Sequence, residues 1–183
     1  MASRFDAVLF DLDGTLIDSR ADIAAAVNHA RAGFGLPPIP TARVETYVGD
    51  GVIRLMERAL ETSDPAALDR GIAIWRAYYV PHCLDATRMY DGVAAMLEAL
   101  ARAGVTMGIV SNKPVGPSER ILEGLGIRGR FAAVVGGDST PTRKPDPEPL
   151  RAAVRDAGLT AGGRILMVGD SPNDIEGARR AGY

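Results

Sequence analysis

Two aspartates, Asp11 and Asp13, bracket Leu12 directly after the apolar run Ala7-Val8-Leu9-Phe10, and Gly14-Thr15 follows them. A short apolar run bounded by glycine reads as a buried parallel strand. Side chains alternate along a strand, so both carboxylates leave on one face and Leu12 on the other. Gly14 permits a sharp turn and leaves room for a ligand to approach the backbone. Two like charges this close raise each other's proton affinity unless a cation lies between them. The plainer reading is a turn, because Asp and Gly commonly follow strands. The rest of the chain has to decide.

Other polar groups fall where they could join the pair. The run through Val110 ends in Ser111-Asn112-Lys113, and the run through Val168 ends in Gly169-Asp170-Ser171-Pro172-Asn173-Asp174. In an open α/β sheet, ligands bind beyond the carboxyl ends of the strands. Three strands would therefore deliver hydroxyl, amide and carboxylate groups to one edge. Lys144 lies in Arg143-Lys144-Pro145-Asp146-Pro147, where Pro145 disfavours helix at 144 and predicts an extended loop.

The elements that must position these groups follow from periodicity. Apolar β-type runs occur at 7–10, 105–110, 132–135 and 165–168, and helical patterns at 94–102, 119–125 and 150–157 each precede one of the last three. Strand and helix in alternation predict an α/β fold with a parallel, Rossmann-like sheet. Asp146-Pro147 reads as a helix cap with proline at the first helical position, and Gly104, Gly126 and Gly158 close helices. The segment 19–85 breaks the alternation. Ser19 with Asp22 resembles a capping box and opens a helix with Ile23, Val27, Ala30 and Phe34 on one face. Further helical stretches follow at 52–61 and 66–79. This predicts a small α-helical insertion (19–85) in a core made of 1–18 and 86–183.

Composition sets broad limits. The chain has 183 residues, 46% of them apolar, and a net charge of −2. A nucleic-acid binder would usually show a basic stripe, so none is expected as a partner. No apolar run approaches the ~20 residues that span a bilayer, and no signal-peptide layout is present, so no membrane is expected. The single Cys83 rules out an internal disulfide framework and a cysteine zinc cluster. A cytoplasmic enzyme fits; the sequence does not fix the oligomeric state.

Asp11-Leu12-Asp13-Gly14-Thr15, Ser111-Asn112, Lys144-Pro145 and Gly169-Asp170-Ser171-Pro172-Asn173-Asp174 resemble, in order, the four motifs of the haloacid dehalogenase-like hydrolase superfamily. The insertion resembles that family's helical cap. Asp18-Ser19, Val48-Gly49-Asp50-Gly51, Ser111-Asn112-Lys113-Pro114 and Val135-Gly136-Gly137-Asp138 ahead of Arg143-Lys144-Pro145 are most similar to its phosphoglycolate phosphatases. The resemblance implies that Asp11 is the nucleophile, forming an aspartyl-phosphate. It implies that Asp13 protonates the leaving alkoxide and then deprotonates water. Ser111 and the Asn112 backbone would hold a phosphoryl oxygen, and Lys144 would neutralise Asp11 and phosphate. Asp11, the Asp13 carbonyl and Asp170 would hold Mg²⁺, with Asp174 supporting them. Members of the family continue past the helix of the fourth motif, so a chain stopping at Tyr183 is expected to lack the family's C-terminal strand or strands.

Charge supports these roles without the family. The four aspartates total −4 and Lys144 returns +1, so Mg²⁺ would bring the site to −1 and let a phosphate dianion enter. All the candidate ligands are hard oxygens, which suit Mg²⁺ and not zinc or copper. The chain has 21 basic residues, and only Lys113 and Lys144 are lysines. A compact ammonium fits beside phosphate and aspartate better than a guanidinium does.

Plainer readings stand beside several residues. Ser171-Pro172-x-Asp174 is also an ordinary helix start. Ser111-Asn112 could be a simple turn, and Lys113 reads as solvated or structural. Arg54 could meet a substrate carboxylate but fits a solvated helix position better. His29 and His82 read as surface or core fillers, Cys83 as a buried apolar residue, and Trp75 with Tyr78-Tyr79 as cap core. The expected substrate is a small phosphorylated metabolite, 2-phosphoglycolate first. The alternatives are a sugar-phosphate phosphatase, a phosphomutase, or a non-enzymatic binding protein on the same scaffold. A phosphonate hydrolase would need a cap lysine, and 19–85 contains none. A dehalogenase would have no use for Asp13.

Overall fold

The computed structural model describes residues 4–159 and 163–183. Its strands are β1 (Ala7–Phe10), β2 (Ile17–Asp18), β3 (Arg88–Met89), β4 (Thr106–Val110), β5 (Ala133–Val135) and β6 (Ile165–Val168). Four of them form a parallel sheet in the order β5-β4-β1-β6. All four β1 residues are buried, as a central parallel strand of continuous apolar residues should be. Phe10 lies opposite Ile109 on one side and Val168 on the other, so these three strands end level. From β1 the chain builds outward through β4 to β5 and then crosses back to β6. The strand order therefore reverses at β1, where α/β sheets place ligands.

Two compact units share the chain: one comprises the segments up to Asp18 and from Met89 onward, the other Ser19–Arg88. The second unit is helical, with α1 (Arg20–Ala32), α2 (Thr41–Glu45), α3 (Val52–Leu60) and α4 (Pro65–His82). Its core includes Ile23, Val27, Ala30, Met56, Trp75 and Tyr79. Asp64 caps α4 by accepting from the Ala67 N–H at 2.8 Å, with Pro65 at the first helical position. The expected capping box at Ser19 and Asp22 is absent: the Ser19 side chain makes no cap hydrogen bond. The Asp22 carboxylate accepts instead from the Ala86 N–H, the Thr87 N–H and the Thr87 hydroxyl, at 2.7–3.1 Å. That long-range tie was invisible to a local pattern.

Helices α5 (Val93–Arg102), α6 (Val115–Gly124), α7 (Glu148–Asp156) and α8 (Pro172–Ala181) belong to the first unit. The core there joins Leu9, Val110, Val135, Leu150, Val154 and Met167. Helix α6 begins four residues earlier than the expected 119. Val115-Gly116-Pro117-Ser118 looks like a loop, but a first turn needs no intrahelical N–H donor, so Pro117 is tolerated there. Helix α7 starts at Glu148 with Pro147 at its N-cap, one residue later than expected, and the Asp146 carboxylate just outside it accepts from the Glu148 N–H at 2.9 Å.

Candidate active site

Backbone pairing brings the motif residues to one edge. The Asp11 N–H donates to Val168 O and the Ser111 N–H to Val135 O, each at 2.9 Å. Asp11 and Ser111 therefore leave the sheet at the ends of β1 and β4. Asp11 is almost buried, and Lys144 Nζ lies 3.1 Å from its Oδ1. The same ammonium donates to Asp174 Oδ1 at 2.6 Å and to the Val110 carbonyl. Burial pushes the Asp11 carboxyl above the usual carboxylate range, and the charge of Asp174 adds to this. Lys144, the Ser111 hydroxyl and the Leu12 N–H pull it down without cancelling the burial. The like charge felt by Asp11 is therefore that of Asp174, not of Asp13 as the sequence suggested.

Asn112 fixes the lysine loop. Its side-chain amide donates to Lys144 O and its carbonyl oxygen accepts from Lys144 N–H, both at 3.0 Å. Lys144 itself sits in a non-helical turn, closed by the Asp146 N–H donating to Arg143 O at 2.8 Å, with a cis Lys144–Pro145 peptide. The sequence assigned only the backbone of Asn112, because a reciprocal amide clamp 32 residues away leaves no local signal.

Asp174 satisfies both of its readings. Its Oδ2 accepts from the Ser171 N–H at 3.0 Å and the Ser171 hydroxyl at 2.7 Å, completing a capping box on α8, while Oδ1 holds Lys144. A Cβ at Gly169 would overlap the Asp174 carboxyl, so glycine there lets the acid pack against the β6 end. Asp170 differs, being exposed. Thr15 donates its hydroxyl to Asp170 Oδ1 at 3.0 Å, and a Cβ at Gly14 would overlap Oδ2 of the same carboxylate. The Thr15 contact was not anticipated, although Thr15 stands in the first motif.

The donor set fits a hard divalent cation. Carboxylate oxygens of Asp11, Asp170 and Asp174 lie within 4.8 Å of one another. Asp11 Oδ1 is buried and accepts no hydrogen bond. Its 3.1 Å approach to Lys144 is an ion-pair contact without hydrogen-bond alignment. All three donors are hard oxygens.

Lys113 corrects the solvated reading. Its side chain is 5% exposed, and Nζ contacts both Asp13 oxygens, at 2.9 Å and 2.8 Å. Each acid of the first motif thus has its own lysine, Asp11 with Lys144 and Asp13 with Lys113. The four aspartates with both lysines carry −2, which one divalent cation neutralises; the expected −1 left Lys113 out.

Other singled-out residues lie in the helical unit. Arg54 is exposed on α3 and donates to Glu57 at 2.6 Å, a solvated helix position. Trp75, Tyr79 and Cys83 are buried. Tyr78 stacks between His29 and His82 at centroid distances of 4.4 Å and 4.5 Å. Among the described residues, no helix is long and apolar enough to cross a membrane.

The chain is similar to known proteins over nearly its whole length. Residues 5–182 match the family described as haloacid dehalogenase-like hydrolase. A phosphoglycolate phosphatase of Rhodospirillum rubrum is 41% identical over 184 residues, covering 96% of this chain and 76% of that protein. An N-acetylmuramic acid 6-phosphate phosphatase of Pseudomonas aeruginosa is 38% identical, covering 98% and 79%. A crystal structure from Haemophilus somnus, described as a predicted phosphoglycolate phosphatase, superposes with a TM-score of 0.90 at 34% identity, covering 98% and 83%. The chain belongs to the haloacid dehalogenase-like hydrolase family and is an enzyme of its phosphatase branch.

Proposed function

We propose that this chain is a Mg²⁺-dependent phosphatase that hydrolyses 2-phosphoglycolate to glycolate and phosphate through an aspartyl-phosphate on Asp11. The observation that carries the reading is the Asp11 carboxylate, buried at a strand end beside Lys144 with Oδ1 outside any hydrogen bond. A carboxylate nucleophile divides a slow hydrolysis into two easier steps. Asp11 attacks phosphorus, and the ester P–O bond breaks as Asp13 gives its proton to the leaving alkoxide. Asp13 then takes a proton from water as that water attacks the phosphoryl group, releasing phosphate and restoring Asp11. Lys144 offsets charge on Asp11 and the phosphoryl oxygens, and Ser111 with the Asn112 N–H holds one of those oxygens.

Asp11, the Asp13 carbonyl and Asp170 would hold Mg²⁺, with Asp174 supporting through Lys144 and Ser171. When bound, the ion supplies positive charge for the phosphoryl oxygens and favours the ionised form of Asp11. The helical unit Ser19–Arg88 serves as the cap in this reading. A cytoplasmic setting is part of this reading.

Phosphate release with Mg²⁺ is the test, on 2-phosphoglycolate, glucose 6-phosphate and N-acetylmuramic acid 6-phosphate, beside Asp11→Asn and an EDTA control. The expected result is turnover of 2-phosphoglycolate that both controls abolish. Faster turnover of N-acetylmuramic acid 6-phosphate would favour the reading suggested by the Pseudomonas aeruginosa relative. A stable phosphoenzyme that transfers its group to a sugar would indicate a mutase. Activity untouched by Asp11→Asn would indicate a binding protein.

A further inference from the structure

Lys113 is a buried cation that the hydrolytic steps leave without a task. Pairing it with Asp13 gives no clear stability gain, because desolvating two ions roughly offsets their attraction. Its position is more informative. Nζ lies 2.8–2.9 Å from both oxygens of the carboxyl that would serve the ester oxygen of the leaving alcohol. Lys144 and the acid cluster lie at Asp11, the phosphoryl side of the same ester.

We propose that Lys113 binds a carboxylate on the alcohol side of the ester, so that the site selects phosphate esters of 2-hydroxy acids. The inference rests on the phosphatase reading and on Asp13 as the leaving-group acid. In such an ester the carboxylate carbon is two bonds from the ester oxygen. An ammonium on Asp13 is therefore its immediate neighbour. In a sugar phosphate the groups at that distance are neutral. Charge leads to the same place: with a divalent cation the site is neutral, and the phosphate dianion has Lys144. A further carboxylate entering beside Asp13 would find no cation at hand without Lys113.

Lysine suits this task, because three rotatable donors let one ammonium bridge two carboxylates. Lys144 does this already, in contact with both Asp11 and Asp174. Arg54, the other candidate for a substrate carboxylate, is paired with Glu57 on its own helix. Selectivity would then lie at least partly in the core, outside the helical unit that carries Arg54.

The test compares 2-phosphoglycolate with its neutral amide, on the wild type, Lys113→Met and Lys113→Arg. The ratio of kcat/KM for acid over amide is expected to fall about 10- to 100-fold in Lys113→Met, mainly through KM, because one charge-assisted bond is lost. Lys113→Arg should recover part of the ratio. An equal fall on both substrates, through kcat, would assign Lys113 to orienting Asp13 alone and overturn the proposal. Product inhibition of the unaltered protein covers a misfolded variant: glycolate should inhibit at least tenfold more strongly than glycolamide, and equal inhibition would overturn it. A wild type that hydrolyses neither ester removes the phosphatase reading itself, a result distinct from loss of discrimination.

Discussion

Lys144 Nζ lies 2.6 Å from Asp174 Oδ1, and neither side chain is more than 2% exposed. A buried pair of this kind stabilises little over an apolar replacement, yet removing Asp174 leaves the buried ammonium with Asp11 as its remaining counter-charge. Asp174→Ala is therefore expected to cost about 3 kcal/mol, the low end for breaking a buried pair, with up to about 1 kcal/mol more from the lost α8 cap. Lys144→Met with Asp174→Leu together should cost well under the sum of the two singles. Urea midpoints of the singles and the double measure this, and additive losses would show that the two do not act as a pair.

Asn112→Ala removes both bonds that hold the Lys144 backbone and leaves a buried N–H and C=O without their partner. Each unsatisfied group costs about 1–3 kcal/mol, so a loss of about 2 kcal/mol or more in denaturant unfolding is expected. The same variant should lower kcat, because Lys144 would no longer be held against Asp11. An Asn112→Ala protein with unchanged stability and turnover would reduce the clamp to an incidental contact.

The sequence was legible where chemistry is local. Motif order, strand ends and glycine punctuation located Asp11, Ser111, Lys144 and Asp170, and the alternation of runs predicted the parallel sheet. Long-range partners were not legible. Lys113 lies 100 residues from Asp13 and Asn112 lies 32 from Lys144, so neither contact leaves a pattern at helix or strand spacing. Asp22 shows the opposite failure: a plausible local capping box lost to three donors at Ala86 and Thr87. Ser171 and Asp174 form a capping box at the helix start that was the plainer reading, and the same carboxylate also holds Lys144. Local propensity and chemistry agreed there, which is why that motif was readable either way.

Thr15 orients Asp170, the exposed member of the acid cluster. Groups that hold a metal ligand in place are worth about 10- to 100-fold in metal affinity. Thr15→Val should raise the Mg²⁺ concentration for half-maximal activity by that order, while Thr15→Ser, which keeps the hydroxyl, should stay near the wild type. Titrating Mg²⁺ after EDTA treatment checks this. Equal Mg²⁺ dependence in all three proteins would remove Thr15 from the site.

Asp11 should make the metal-free protein lose stability as pH rises. Its folded-state proton affinity is raised, chiefly by burial, so the folded protein keeps that proton to a higher pH than the unfolded chain does. The stabilisation is fully present below the unfolded value, near pH 4, and is lost as pH climbs through the raised folded value. Asparagine mimics the neutral form at every pH. In EDTA, Asp11→Asn should therefore unfold at a higher temperature than the wild type at pH 7, and the gap should close towards pH 4. Mg²⁺ favours the charged carboxylate, so adding it should raise the wild-type Tm and leave Asp11→Asn almost unmoved. Thermal unfolding from pH 4 to pH 8, with and without Mg²⁺, reads both effects. A wild type more stable than Asp11→Asn at pH 7 in EDTA would mean that Lys144 outweighs burial at this carboxylate.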